Sequence, residues 1–234
     1  MPSLIKAAKS QIGRKLITGI TGIGLVLFVI GHLTGNFSLF GAPDAFNEYS
    51  HFLENLGLLL YIVEIVLLAF FIFHAYIGLN IWWRRRKARP DNYKKYESKG
   101  GPSKQSLSSK SMAFTGAVLL IFLVIHINHF KYGDTASVML ESGEQARDLK
   151  GLVIDTFQKP LWAFGYTFVM ILLGTHLGHG IWSALTSLTM KHKKYSYVVH
   201  AIGIIVAVAL AVGFLFIPLY IYFAGPDGGM LIAN

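Results

Sequence analysis

Apolar positions along the chain gather into five long runs, at about 16–40, 57–83, 112–130, 161–188 and 197–224, with polar stretches between them. A helix rises ~1.5 Å per residue, so each run reaches the ~20 residues needed to cross a ~30 Å hydrocarbon core. The pattern predicts an all-α membrane protein, a bundle of five transmembrane helices. The first run is too long, and too poor in a cleavage site, for a removable signal peptide. The polar stretch "SKGGPSKQSLSSK" (98–110) reads as a Gly/Pro/Ser linker. "GAPDAFNEYSHFLENLG" (41–57) reads as a loop with room for a short interfacial helix, and "AGPDGGMLIAN" as a tail. None of these could bury a core of its own, so residues 1–234 are expected to form a single transmembrane domain.

Composition strengthens this picture. The chain is 53% hydrophobic and 14% charged, with mean hydropathy +0.52. A soluble domain carries about a quarter charged residues. There are no cysteines, which excludes a disulfide, an iron–sulfur cluster and a thioether-linked haem on this chain.

The net charge of +9 raises the question of nucleic acid, and its distribution answers it. Lys6, Lys9, Arg14 and Lys15 precede the first run, ten basic residues lie from Arg84 to Lys110, and Lys191, Lys193 and Lys194 separate the last two runs. The stretch between the first two runs has Asp44, Glu48 and Glu54 with no Lys or Arg. Between runs three and four, Glu141, Glu144, Asp148 and Asp155 face four basic residues from Lys131 to Lys159. Positive-inside bias therefore predicts a cytoplasmic N-terminus, a C-terminus outside and a lipid rather than nucleic-acid environment. "RRRKARP" (84–90) reads as a topology determinant, compatible with docking a cytoplasmic partner.

The first four runs carry histidines: His32; His74; His126 and His129; His176 and His179. Ionisable groups in a span are costly and mark function by default. One such histidine is ordinary packing, whereas one in each of four successive spans is a pattern. Imidazole is a good iron ligand and helix bundles hold cofactors between facing side chains, so four histidines at two depths would hold two bis-histidine haems. Depth alone leaves the choice between His176 and His179 open. They lie about 22 Å and 18 Å before Lys191, against about 15 Å from His74 to Arg84, and counting from the other end reverses the preference.

A weak internal repeat decides it. "FVIGH" (28–32) and "FLVIH" (122–126) each place Phe four residues before His, while "HAYIGLNIW" (74–82) and "HLGHGIW" (176–182) share His-x-x-x-Gly and a later Trp. The repeat matches His32 with His126 and His74 with His176. Gly78 and Gly180, one turn beyond their histidines, leave room either for a flat macrocycle or for close helix packing. His129 and His179 read as packing groups or groups behind the ligands, His192 as solvated, and His200 as a polar tip at a membrane interface.

In the order "VIGHL" (29–33), "FNEYSHFLENL" (46–56), "FHAYIGLNI" (73–81), "FLVIH" (122–126) and "THLGHGIWS" (175–183), the whole chain resembles the di-haem cytochrome b anchor subunit of succinate dehydrogenase/fumarate reductase complexes. The resemblance implies two haems b: a distal one on His32 and His126, and a proximal one on His74 and His176. It implies a flavoprotein subunit and an iron–sulfur subunit on the cytoplasmic face of a prokaryotic inner membrane. It further implies exchange of electrons with menaquinone or another quinone, and a place in the respiratory chain and tricarboxylic acid cycle within a complex that can form higher oligomers. This chain has no flavin motif, so dicarboxylate chemistry belongs to the partners.

Glu64 is the carboxylate that falls inside a run, about 15 Å from His74 along one helix. Two readings stay open for it: proton exchange with a quinone, or a structural hydrogen bond to a helix or haem propionate. His51 and Glu54 would complete a proton exit. Some relatives carry a membrane glutamate two residues before the fourth-helix ligand, where this chain has Gly174. Arg14, Arg84, Trp182 and Ser183 are candidates for propionates or a second quinone, or for interfacial anchoring. Two other functions share parts of the pattern: a haem b subunit of a hydrogenase or formate dehydrogenase, and a transporter or proton channel with a histidine relay.

Overall fold

The Ser10 hydroxyl accepts from the Gly13 amide at 3.0 Å, so helix α1 (Gln11–Asn36) begins before the apolar run that marks it in the sequence. The computed structural model describes residue 6 and residues 10–88, 107–188 and 196–225. A 3-10 turn, Phe37–Phe40, extends α1. There follow α2 (Ala45–Glu54), α3 (Leu58–Lys87), α4 (Leu107–His126), a π-helical turn (Ile127–Lys131), strands β1 (Ser137–Met139) and β2 (Gln145–Arg147), α5 (Leu149–Phe157), α6 (Pro160–Ser187) and α7 (Ser196–Ala224).

Among the described residues five helices are long and apolar enough to cross a membrane: Gln11–Phe40, Leu58–Lys87, Ser108–Lys131, Pro160–Ser187 and Tyr197–Ala224. The chain is thus a helical, multi-pass membrane protein, as its hydropathy predicts. Helix ends differ from the run ends because polar residues join the helices. Arg14 and Lys15 lie in α1, and the last four residues of the expected linker, 107–110, open α4. Lys9, Arg89, Pro90, the linker residues 98–106, the segment from Lys191 to Lys194 with His192, and 226–234 lie outside the described residues.

The 41–57 stretch does contain a short helix, α2. The stretch after the third span is also ordered, which its mixed composition did not announce. β1 and β2 pair antiparallel, Val138 opposite Ala146, around a turn where Gly143 has φ +82°. The Asp148 carboxylate then caps α5, accepting from the Gly151 amide at 2.9 Å. Asn47 of α2, only 2% exposed, ties these pieces together. Its amide donates to Asp148 Oδ1 at 3.0 Å, and its carbonyl accepts from the Lys150 amide at 2.8 Å.

Packing divides the chain into two compact units. One comprises Met1–Leu27, Val66–Val118 and Leu173–Ala209; the other comprises Phe28–Ile65, Leu119–Leu172 and Leu210–Asn234. In the first unit glycines let helices approach. A methyl group at Gly19 would meet the Ala184 carbonyl at 3.5 Å, and one at Gly203 would meet Ile181 and the Trp182 amide at 3.4 Å. In the second, Phe40, Phe216 and Tyr220 cluster with ring centroids 5.2–5.3 Å apart, and the Gln158 side chain donates to the Ile221 carbonyl.

Candidate functional site

Each compact unit holds one pair of imidazoles. In the first, His74 of α3 and His176 of α6 lie with ring centroids 6.4 Å apart and planes at 67°. In the second, His32 of α1 and His126 of α4 lie 5.7 Å apart at 88°. These are the two pairings that the internal repeat predicts. A nitrogen–metal bond of about 2.0–2.1 Å on each side puts two coordinating ring centroids about 6.4 Å apart, the spacing of His74 and His176, while His32 and His126 stand closer.

The helices carrying each pair repeat one another in detail. Phe28 stacks on His32 and Phe122 on His126, both at 5.5 Å. A methyl group at Gly22 of α1 would stand 3.2 Å from His74 Cε1, and one at Gly116 of α4 would stand 3.3 Å from His176 Cε1. The preceding residues, Thr21 and Thr115, are buried at 5% and 1% exposure. Each hydroxyl donates back to its own helix, Thr21 to the Ile17 carbonyl at 2.7 Å and Thr115 to the Ser111 carbonyl at 3.1 Å. Thr115 Oγ1 also lies 3.0 Å from His176 Nδ1. The signal was in the sequence: Thr-Gly-x5-Phe-x3-His runs over both 21–32 and 115–126. The sequence reading stopped at the Phe–His part of it.

The other histidines separate cleanly from the pairs. His179 packs on Trp182 at 6.1 Å, which settles the geometry in favour of His176 as the partner of His74. Trp182 in turn meets His200 edge-on at 5.9 Å, so His200 packs on a ring. His129 stacks on Phe130, packs on Trp162 at 4.5 Å and meets the Thr156 hydroxyl through Nε2 at 3.2 Å.

Buried polar atoms without a hydrogen-bond partner concentrate around the pairs. In the first unit these are Trp182 Nε1 and His200 Nδ1. In the second they are His126 Nδ1, His129 Nδ1 and the hydroxyl of Tyr166, whose ring lies 6.1 Å from His126. Leaving a buried donor or acceptor unpaired costs about 1–3 kcal/mol, so such groups mark places where a polar or metal-bearing ligand belongs. Tyr166 was not singled out from sequence, since nothing distinguishes it there from a packing aromatic.

Among the described residues no group of three or more His, Cys, Asp or Glu side chains converges in a way that would hold a metal ion. Two imidazoles alone would leave most of a metal's coordination to other ligands, and a porphyrin supplies four in a plane. The donor set therefore fits a haem between each pair better than a bare ion. A methyl group at Gly78 or Gly180 would meet nothing within 4 Å, which fits room for a macrocycle and removes the close-packing explanation for both glycines.

The remaining candidates scatter. Arg14 donates through Nη1 to Asn80 Oδ1 at 3.1 Å, Arg84 is exposed at the end of α3, and Ser183 offers its carbonyl to Ser187. Trp182 alone of the four sits beside unpartnered buried atoms. Glu64 lies only six residues beyond Leu58, about 9 Å into α3, and is ion-paired with Lys131 at the end of the π-helical turn. The sequence reading did not foresee its cation. Glu54 lines the same cleft as Glu64, while His51 pairs with Glu144 at 3.0 Å in the β1–β2 turn.

No family model, curated protein or solved structure matches this chain.

Proposed function

We propose that this protein is the membrane-anchor cytochrome b of a succinate:quinone oxidoreductase, with haem b between His32 and His126 and a second haem b between His74 and His176. The observation that carries the reading is the pair of imidazole pairs, one per compact unit, at 5.7 Å and 6.4 Å. When bound, haems so ligated relay single electrons, here between an iron–sulfur partner and menaquinone or another quinone. The chain's own task is to hold the imidazoles, exclude water and exchange protons with the quinone at Glu64. Tyr166, whose unpartnered hydroxyl belongs to a ring 6.1 Å from His126, and Trp182, with an unpartnered Nε1, would bond the edge of the macrocycle or its propionates.

The basic stretches, Arg84–Lys87 at the end of α3 among them, support a reading with the N-terminus on the cytoplasmic side of a prokaryotic inner membrane. His74 and His176 then form the proximal site, towards a flavoprotein and an iron–sulfur subunit, and His32 and His126 the distal one. A histidine proton relay is less well supported. His126 Nδ1 is buried without a hydrogen-bonding partner to pass a proton to.

The test is a reduced-minus-oxidised spectrum of the chain purified with its native partners, together with flavin analysis. Paired-imidazole haem bands with covalent or bound flavin support the reading. Haem without flavin points to a hydrogenase or formate dehydrogenase assembly, and no haem bands at all would overturn the reading.

A further inference from the structure

The end of the third span is built in an unusual way. After His126 the helix widens into the π-helical turn Ile127–Lys131, closed by the Tyr132 amide on the Ile127 carbonyl at 3.3 Å. Such turns cost regular hydrogen bonding and recur at functional sites. Here the carbonyls freed at its end are taken up by one residue. Arg147, on β2, donates to the carbonyls of Lys131 at 3.1 Å, Phe130 at 3.5 Å and Gly133 at 2.8 Å. A planar guanidinium with five donors in a fixed fork is suited to gathering three acceptors. Its consequence is that the Lys131 backbone is fixed from outside the helix.

The Lys131 ammonium is in turn ion-paired with the Glu64 carboxylate. Both side chains remain part-exposed, Lys131 at 42% and Glu64 at 33%. They line a cleft of about 400 Å³ shared with Glu54, Tyr61, Tyr132 and Arg147. Its lining combines two tyrosines with two carboxylates and two cations, groups that can stack on and hydrogen-bond a flat, hydroxylated ring. It lies in the same compact unit as His32 and His126.

We infer that Lys131 is the positioning residue of the quinone cleft, an ammonium anchored by Arg147 through the π-helical turn that holds the Glu64 carboxylate at the cleft wall, aimed at a quinol hydroxyl. This inference rests on the proposed quinone chemistry at Glu64. A carboxylate on a flexible side chain at the edge of a span would otherwise sample solvent, where it is well hydrated and far from the ring. The ammonium gives it a fixed partner to leave only when a hydroxyl of the ligand offers a better one. Arg147 is the anchor of that arrangement and itself lines the cleft.

The experiment is a double-mutant cycle on the intact complex, read with a soluble naphthoquinol as probe and with haem content as a control. Lys131→Met is expected to lower quinol turnover about tenfold with haem content unchanged, and Lys131→Arg to restore it to within about threefold. In the Glu64→Gln background, Lys131→Met is expected to add no further loss, because the group it positions is gone. Turnover unchanged in Lys131→Met, or losses that multiply in the double variant, would overturn the inference while leaving the quinone role of Glu64 standing. Full turnover in Glu64→Gln itself would overturn both.

Discussion

Thr115 and His176 are joined by a 3.0 Å contact between Oγ1 and Nδ1, and the threonine's other neighbours fix which way the hydrogen bond runs. Thr115 Oγ1 also lies 3.1 Å from the Ser111 carbonyl and 3.3 Å from that of Met112, both of which only accept. A hydroxyl has one proton, and the carbonyls claim it. Towards the imidazole the hydroxyl must therefore accept, so His176 carries its proton on Nδ1 and keeps Nε2 free as a ligand. The contact thus sets the tautomer that metal binding requires.

A donated Nδ1 proton makes an imidazole a stronger base and favours the oxidised metal. Thr115→Val should therefore raise the midpoint potential of one haem by roughly 20–60 mV, the equivalent of a net hydrogen bond of about 0.5–1.5 kcal/mol for a one-electron couple. Thr115→Ser should leave it near the wild-type value. Redox titration followed in the haem bands reads both. A shift of both haems, or of neither, would disprove the assigned role.

Gly22 and Gly116 stand where a side chain would press on His74 and His176 respectively. At 3.2–3.3 Å an added methyl already crowds the ring, so Ala should be tolerated with a small displacement and Leu should not. Gly22→Leu and Gly116→Leu are each expected to lose one haem of two, and the same one, as judged by haem content per chain. Loss of the other haem in either variant would contradict the pairing.

How much of this was legible in the sequence follows from which forces act locally. Five apolar runs state their own lengths, so the spans could be read directly, and the polar first turns of α1 and α4 and the basic last turn of α3 lay beyond the hydropathy signal. The histidine pairs were legible because an internal repeat stands in for the missing three-dimensional information. Gly22 and Thr115 belong to the same repeat and were overlooked, since a Thr-Gly step in an apolar run reads as helix packing until its neighbour is known. The ordered segment 137–157 was not legible because it is set by long-range contacts such as Asn47 with Asp148, which no local pattern reveals. Lys131 escaped for a similar reason: its partner, Glu64, lies on another helix.

Glu64→Gln keeps the size of the side chain and removes its capacity to take up a proton. If it exchanges protons with the quinone, turnover should fall at least tenfold while both haems remain. If it serves as scaffolding, haem content or assembly should suffer and turnover per intact complex should not. Parallel haem quantification and quinone-linked kinetics separate the two.

The most direct measurement is haem per chain in purified complexes carrying single substitutions of His32, His74, His126 and His176 by alanine, with His129→Ala and His179→Ala as controls. The account predicts two haems in the wild type and in both controls, and one in each of the four variants. It also predicts a shared residual spectrum for His32 and His126, and a different shared one for His74 and His176. Two full haems in any of the four, or loss of a haem in either control, would contradict it.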